Sequence, residues 1–287
     1  MDSTSAIILA VSLAIIMLGM GLSLVAEDFK RIFLEPKSIL IGLTNQLILL
    51  PVIAFGLASM FPLQPEIAVG VMILAACPGG ATSNLIAHLA GADTALSVTL
   101  TAFSSFITIL TIPFIVNFSL EQFLEEGNMI QLDVVQTFLQ ILMIIIIPVT
   151  IGMLIRKYKE NFALKMAKPV RIASALILIL VIVGIIIKEK DTLAESFQQA
   201  GLVVITLNLV VMFVGYYSAK MFSISNKRAL SIAIESGIQN GTLGITVAVV
   251  LLGSSQFAVV SAIYGVLMFF TGAAAIYIGS RQRKKQL

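Results

Sequence analysis

Apolar residues run along this chain in blocks about 20 residues long, separated by short polar turns. The blocks fall at 6–26, 38–60, 67–91, 94–117, 131–155, 170–187, 199–221, 229–252 and 256–279. At a rise of 1.5 Å per residue such a block spans the ~30 Å hydrocarbon core of a bilayer as a helix, whereas a barrel strand needs only about half that length. The pattern therefore predicts an all-α polytopic membrane protein with nine transmembrane helices. The turns are short and no Pro/Ser-rich linker divides the chain, so residues 1–287 read as one membrane domain.

Two blocks are interrupted at mid-length. The third carries Pro78, Gly79 and Gly80 at its centre, and the eighth carries Gly237, Gly241 and Gly244 among Glu235, Gln239 and Asn240. Proline removes a backbone donor and clashes with the preceding turn, and adjacent glycines favour leaving the helix. Unwound backbone at membrane depth needs protein or a water-filled cavity to satisfy it. Glycines that merely let helices pack closely are the competing explanation. The polar side chains accompanying both breaks favour unwinding. Glu235 stands out among them, because a charge near the bilayer centre costs at least about 2.5–3.5 kcal/mol and so marks a functional position.

Composition and charge add the orientation. Of the 287 residues 59% are hydrophobic and 11% charged, and the mean hydropathy is +1.05. Lys30, Arg31 and Lys37, the cluster from Arg156 to Arg171, Lys220, Lys227 and Arg228, and Arg281 to Lys285 all fall in turns, or at the block ends beside them, on one side. Only Lys188 and Lys190 fall on the other. The positive-inside rule then puts the amino terminus outside and the carboxyl terminus in the cytoplasm. The net charge of +3 gives no reason to expect nucleic acid. The leading residues MDSTS lack a positive n-region, so the first block reads as a span of a cell-membrane protein rather than a cleaved signal. The basic tail reads as a headgroup anchor.

A weak internal repeat accompanies the breaks. A shift of 162 residues lays Thr44 on Thr206, Gln46 on Asn208, and Pro78-Gly79 on Asn240-Gly241. The two halves, about 1–120 and 130–287, cross the membrane in opposite senses. Interrupted segments in inverted halves point to a secondary transporter with its site at the midplane.

The chemistry available at that depth is oxygen. A hard, dehydrated cation needs several oxygen ligands. The third and fourth spans supply Ser83, Asn84, Ser97 and Thr101, the eighth supplies Glu235 and Gln239, and the second supplies Gln46. Ser97 and Thr101 share a helical face. A sodium ion would offset the Glu235 charge, and backbone carbonyls from unwound Ser236 to Asn240 would add ligands. Individually, Ser97 and Thr101 could bond their own helix, Asn84 and Gln46 could join helices, and Glu235 could be protonated. Cys77 reads as a core residue and His88 as interfacial. One histidine and one cysteine eleven residues apart on the third span, and one buried acid on the eighth, do not form a hydrolase site, so no enzyme is expected.

At these residues the chain resembles the bile acid:sodium symporter family. The motifs are CPGGATSN at Cys77–Asn84, ALSVTLT at Ala95–Thr101 and ESGIQNGTLG at Glu235–Gly244, with Asn45-Gln46 in support. The resemblance implies a panel and a core domain, two broken helices crossing in the core, and two co-transported sodium ions with no organic cofactor. One ion would use Ser83, Asn84, Ser97, Thr101 and Glu235. The other would use Gln46, Glu235 and Gln239 with the carbonyls of Ser236 and Ile238. Thr82, Asn240 and Gly241 would meet the substrate, an amphipathic organic anion such as a bile acid or a pantoate-like acid. Bacterial relatives typically have ten spans; nine here make inverted repeats of four and five. The order Ala81-Thr82 is reversed in some relatives, beside the substrate cavity.

The resulting expectation is a monomeric symporter, embedded in lipid, that imports an organic anion with sodium by alternating access. A proton-coupled or efflux carrier of the same fold, and a membrane sensor that binds without transporting, remain alternatives.

Overall fold

The computed structural model describes residues 3–124, 132–188 and 193–284. Lys190 and Lys285, and part of the outer turn expected after residue 117, lie outside the described residues.

The chain is helical almost throughout. In order come α1 (Ser3–Gly21), α2 (Ala26–Leu34), α3 (Pro36–Thr44), α4 (Leu50–Met60), α5 (Pro65–Ala76), α6 (Ala81–Leu89) and α7 (Thr94–Phe123). They are followed by α8 (Val134–Ile141), α9 (Ile147–Tyr158), α10 (Glu160–Lys188), α11 (Leu193–Met221), α12 (Asn226–Gly237), α13 (Gly241–Thr246) and α14 (Gln256–Lys284). Among the described residues, five stretches are helices long and apolar enough to cross a membrane alone: Pro36–Met60, Thr94–Phe123, Val134–Tyr158, Phe197–Met221 and Gln256–Arg281. The protein is thus an all-α polytopic membrane protein.

Wide π turns at Asn45–Leu49 and Leu142–Ile146 join α3 to α4 and α8 to α9. Each precedes a proline, Pro51 or Pro148, at the second position of the next helix. The ring would clash with a carbonyl in the preceding turn, and the wider turn relieves this without ending the helix. In the first of them the amides of adjacent Asn45 and Gln46 are both buried.

Two expected boundaries move. The first block ends at Gly21 rather than residue 26, and α2 turns away by 65° as a short helix bearing Glu27, Asp28, Lys30 and Arg31. These charges cannot follow α1 into lipid. α2 lies instead against α7, with Phe29 edge-on to Phe103 and Phe106. The polar turn expected across residues 156–169 shrinks to Lys159, because α10 starts at Glu160 and continues through Pro169.

The breaks lie where the interrupted blocks predict them. α5 stops at Ala76 and α6 begins at Ala81; α12 stops at Gly237 and α13 begins at Gly241. These segments are the centre of the molecule, with every residue from 67 to 80 and from 229 to 249 buried. They cross antiparallel, Gly80 N–H donating to the Ile238 carbonyl at 2.9 Å and Asn240 N–H to the Pro78 carbonyl at 3.0 Å. Each break thereby satisfies the other's backbone. α7, α11 and α14 pack around the crossing. At one end, Arg228 pairs with Glu35 at 2.8 Å and Asp93 at 3.4 Å, tying the start of α12 to the starts of α3 and α7.

α1, α9 and α10 pack against one another beside this assembly. α1 and α9 approach so closely that a Cβ on Gly21 would run into the Val149 carbonyl, and one on Gly152 into the Leu18 carbonyl. Lipid supplies no hydrophobic force to hold helices together, so this backbone proximity carries the contact. Gly152→Ala should therefore destabilise the protein by about 1–3 kcal/mol. Gly56→Ala, where nothing lies within 4 Å, should not. Thermal melts in detergent compare the two.

Candidate functional site

Three helices and one break converge on Glu235. Its carboxylate, one turn before the end of α12, is buried at 1% exposure. Thr101 Oγ1 donates to Oε1 at 2.6 Å, while Ser83 Oγ at 2.7 Å and Ser97 Oγ at 3.0 Å donate to Oε2. Asn84 Oδ1 closes the cluster, 2.9 Å from Ser97 Oγ and 3.2 Å from Thr101 Oγ1. The structure thus brings together all five residues of the first expected ion set.

Their positions follow from local structure. Asp93 caps α7 by accepting from Leu96 N–H at 3.0 Å, which starts the helix so that Ser97 and Thr101 face inward one turn apart. The Gly80 carbonyl accepts from Ser83 N–H and Ser83 Oγ, so the first turn of α6 aims that hydroxyl into the cluster. Gly79 has to lack a side chain, since a Cβ there would collide with the Glu235 carboxylate.

The hydrogen count is informative. Three hydroxyls bring one hydrogen each. Within reach of those hydrogens lie both Glu235 oxygens, Asn84 Oδ1, and the carbonyls of Gly80 and Ser97. Acceptors outnumber hydrogens, so the cluster is rich in oxygen lone pairs.

The second expected set is partly assembled. Gln46 Nε2 donates to Gln239 Oε1 at 2.7 Å and to the Cys77 carbonyl at 3.1 Å. Gln239 Nε2 donates to the Ser236 carbonyl at 2.7 Å. The Ile238 carbonyl is engaged differently, in the crossing with Gly80, and the Glu235 carboxylate turns to the first cluster. Of the three expected substrate residues, Thr82 is half-buried in the first turn of α6. Asn240 is buried and caps α13, accepting from Leu243 N–H at 3.1 Å, and Gly241 N–H donates to the Gln239 carbonyl at 3.0 Å. Cys77 donates its thiol to the Ile73 carbonyl at 3.2 Å, and His88 is exposed in the last turn of α6.

Tyr264 carries no mark in the sequence beyond being a phenol inside an apolar block. It is buried on α14, where its hydroxyl donates to the Gly237 carbonyl at 2.8 Å beside Asn208 Nδ2.

Residues 10–197 match the family described as the Sodium Bile acid symporter family. The chain belongs to that family. Its members are transporters rather than enzymes, which agrees with the absence of a hydrolase constellation from the sequence. Relatives of the symporter family align over nearly the whole chain. The "uncharacterized sodium-dependent transporter YocS" of Bacillus subtilis is 31% identical across 97% of this chain and 85% of its own length. The "probable sodium/metabolite cotransporter BASS1, chloroplastic" of Arabidopsis thaliana is 28% identical across 96% of this chain and 68% of its own. The human "ileal sodium/bile acid cotransporter" is 27% identical across 95% and 78%.

Because Gly79 and Glu235 share one space, Gly79→Ala should push the carboxylate off its hydroxyls and lower stability by about 1–3 kcal/mol. A melt of this variant against Gly56→Ala measures the difference.

Proposed function

We propose that this symporter family member imports a small amphipathic organic anion together with sodium, by alternating access across nine spans with the amino terminus outside. The observation carrying the reading is the buried Glu235 cluster, in which oxygen lone pairs exceed hydrogens. A negative carboxylate, three hydroxyls and an amide oxygen are linked by contacts of 2.6–3.2 Å, the hydroxyls to the carboxylate and the amide oxygen to Ser97 and Thr101. Such a cluster is stabilised by a cation, and the hydroxyl hydrogens need only rotate outward to free their lone pairs. Sodium is the cation the family and its relatives are named for.

In this reading Ser83, Asn84, Ser97, Thr101 and Glu235 hold one sodium. Gln46, Gln239, Glu235 and the Ser236 and Ile238 carbonyls hold a second once the Gln46–Gln239 contact opens. The crossing assembly acts as a core domain. α1, α8–α9 and α10 act as a panel, packed on each other by Gly21 and Gly152. A small apolar seam between the two groups, lined by Leu13, Ile141, Ile145, Leu243 and Val247, is too narrow for an organic anion as it stands, and in this reading it is where the groups part to admit the apolar body of the substrate. Its anionic group would meet the start of α6 at Thr82, with Asn240 and Gly241 joining if α13 releases its own cap. Gln46 and Asn208, paired by the 162-residue shift, both donate to a carbonyl at the end of a broken half-helix, which supports inverted repeats of four and five spans. Each sodium entering down about 100 mV contributes roughly 2.3 kcal/mol before its concentration gradient. Coupling needs no contact between ion and anion, because sodium orders the unwound segments that shape the substrate's cavity.

A ligand bound only by the folded state at about 100 times its dissociation constant stabilises it by roughly 2.7 kcal/mol. The purified protein should therefore melt higher in sodium than in potassium at equal ionic strength, and Glu235→Gln should erase the difference. Equal melting in both salts, with stability following pH through Glu235, would replace sodium by a proton as the coupled ion.

A further inference from the structure

Asn208 on α11 and Tyr264 on α14 meet at one carbonyl. Asn208 Nδ2 donates to Gly237 C=O at 2.7 Å and to Tyr264 Oη at 2.9 Å, and Tyr264 Oη donates to the same carbonyl at 2.8 Å. Both side chains are buried. Gly237 is the last residue of α12, where a helix leaves carbonyls without partners of its own.

The neighbouring carbonyls are anchored within the two broken segments. Ser236 C=O accepts from the Gln239 side chain, Ile238 C=O from Gly80 N–H, and Gln239 C=O from Gly241 N–H. The Gly237 carbonyl is instead gripped by the two flanking helices. Met212 of α11 fills the space a Cβ on Gly237 would need, so α11 lies directly against this peptide. The grip also has a cost that packing alone would not justify: Asn208 Oδ1 is buried without a hydrogen-bond partner.

We propose that Asn208 and Tyr264 are positioning residues for ion binding. By fixing the Gly237 carbonyl they set the orientation of the end of α12, and with it the direction in which Ser236 C=O and the Glu235 carboxylate face the ion. The proposal rests on the cation-site reading above. It differs from a structural role because it predicts a change in sodium affinity and not only in stability.

The test uses the full chain in detergent with sodium alone as ligand, melted across a sodium series balanced with potassium. Asn208→Leu should raise the sodium concentration needed for a given stabilisation over potassium by about five- to tenfold, the effect of losing a charge-free hydrogen bond or two. Tyr264→Phe, which keeps the Asn208 bond, should raise it roughly two- to threefold. Asn117→Leu serves as the structural control, since Asn117 bonds Leu132 N–H and C=O away from the crossing. It should lower melting in both salts and leave that sodium concentration unchanged. Sodium-specific stabilisation that survives Glu235→Gln would sink the cation-site reading itself. Where Glu235→Gln does abolish it, a native sodium requirement in Asn208→Leu and Tyr264→Phe would overturn the positioning role, however far their melting temperatures fall. If Asn208→Leu does not fold, Tyr264→Phe decides, since it deletes a single oxygen.

Discussion

A carboxylate sealed from water inside a bundle has to be matched atom by atom, and Glu235 imposes that demand on everything around it. Its two oxygens collect hydroxyls from α6 and α7, and those hydroxyls are aligned only because Asp93 caps α7 and Gly80 starts α6. Gly79 leaves the space the carboxylate fills. Leaving any of these polar groups unpaired at such depth would cost more than a hydrogen bond usually contributes. The crossing is therefore a mutual dependency: α6 cannot begin where it does without α12 ending where it does.

The two breaks solve a backbone problem in the same way. The gaps between half-helices, residues 77–80 and 238–240, expose donors and acceptors that lipid cannot satisfy. Pairing one gap against the other absorbs some of them through Gly80 and Asn240. Side chains from neighbouring helices take others, Gln46 at Cys77 and the Asn208–Tyr264 pair at Gly237. The crossing is thus held from several directions, yet by single hydrogen bonds rather than by continuous helix. Such a segment can shift locally without unfolding the helices that carry it.

Elsewhere the packing is of a different kind. α1 and α9 meet through glycine at Gly21 and Gly152, with few polar contacts, whereas the crossing assembly is tied by hydrogen bonds and by Arg228 between Glu35 and Asp93. The apolar crevice lined by Leu13, Ile141 and Leu243 lies between these two kinds of packing. Apolar surfaces that carry no directional bonds can slide or part at lower cost than a satisfied polar network.

Much of this protein is legible in its sequence because membrane solvent punishes local errors locally. The apolar blocks, the breaks at Pro78-Gly79-Gly80 and around Gly237–Gly241, and the anomalous Glu235 each stand out against a hydrocarbon background. Motif likeness added which oxygens belong with Glu235, and those of Ser83, Asn84, Ser97 and Thr101 do gather around it. Boundaries that depend on neighbours were less legible: α2 bends away after Gly21 because its charges need an interface and Phe29 has a partner on α7, and Pro169 is absorbed within α10. Only the tertiary structure decided that Ile238 C=O pairs with Gly80, that Asn240 spends its side chain capping α13, and that Tyr264 joins Asn208 at Gly237. The reason is that a polar residue in an apolar span announces that it needs a partner, but which partner it finds depends on helices that are distant in sequence and adjacent only once packed.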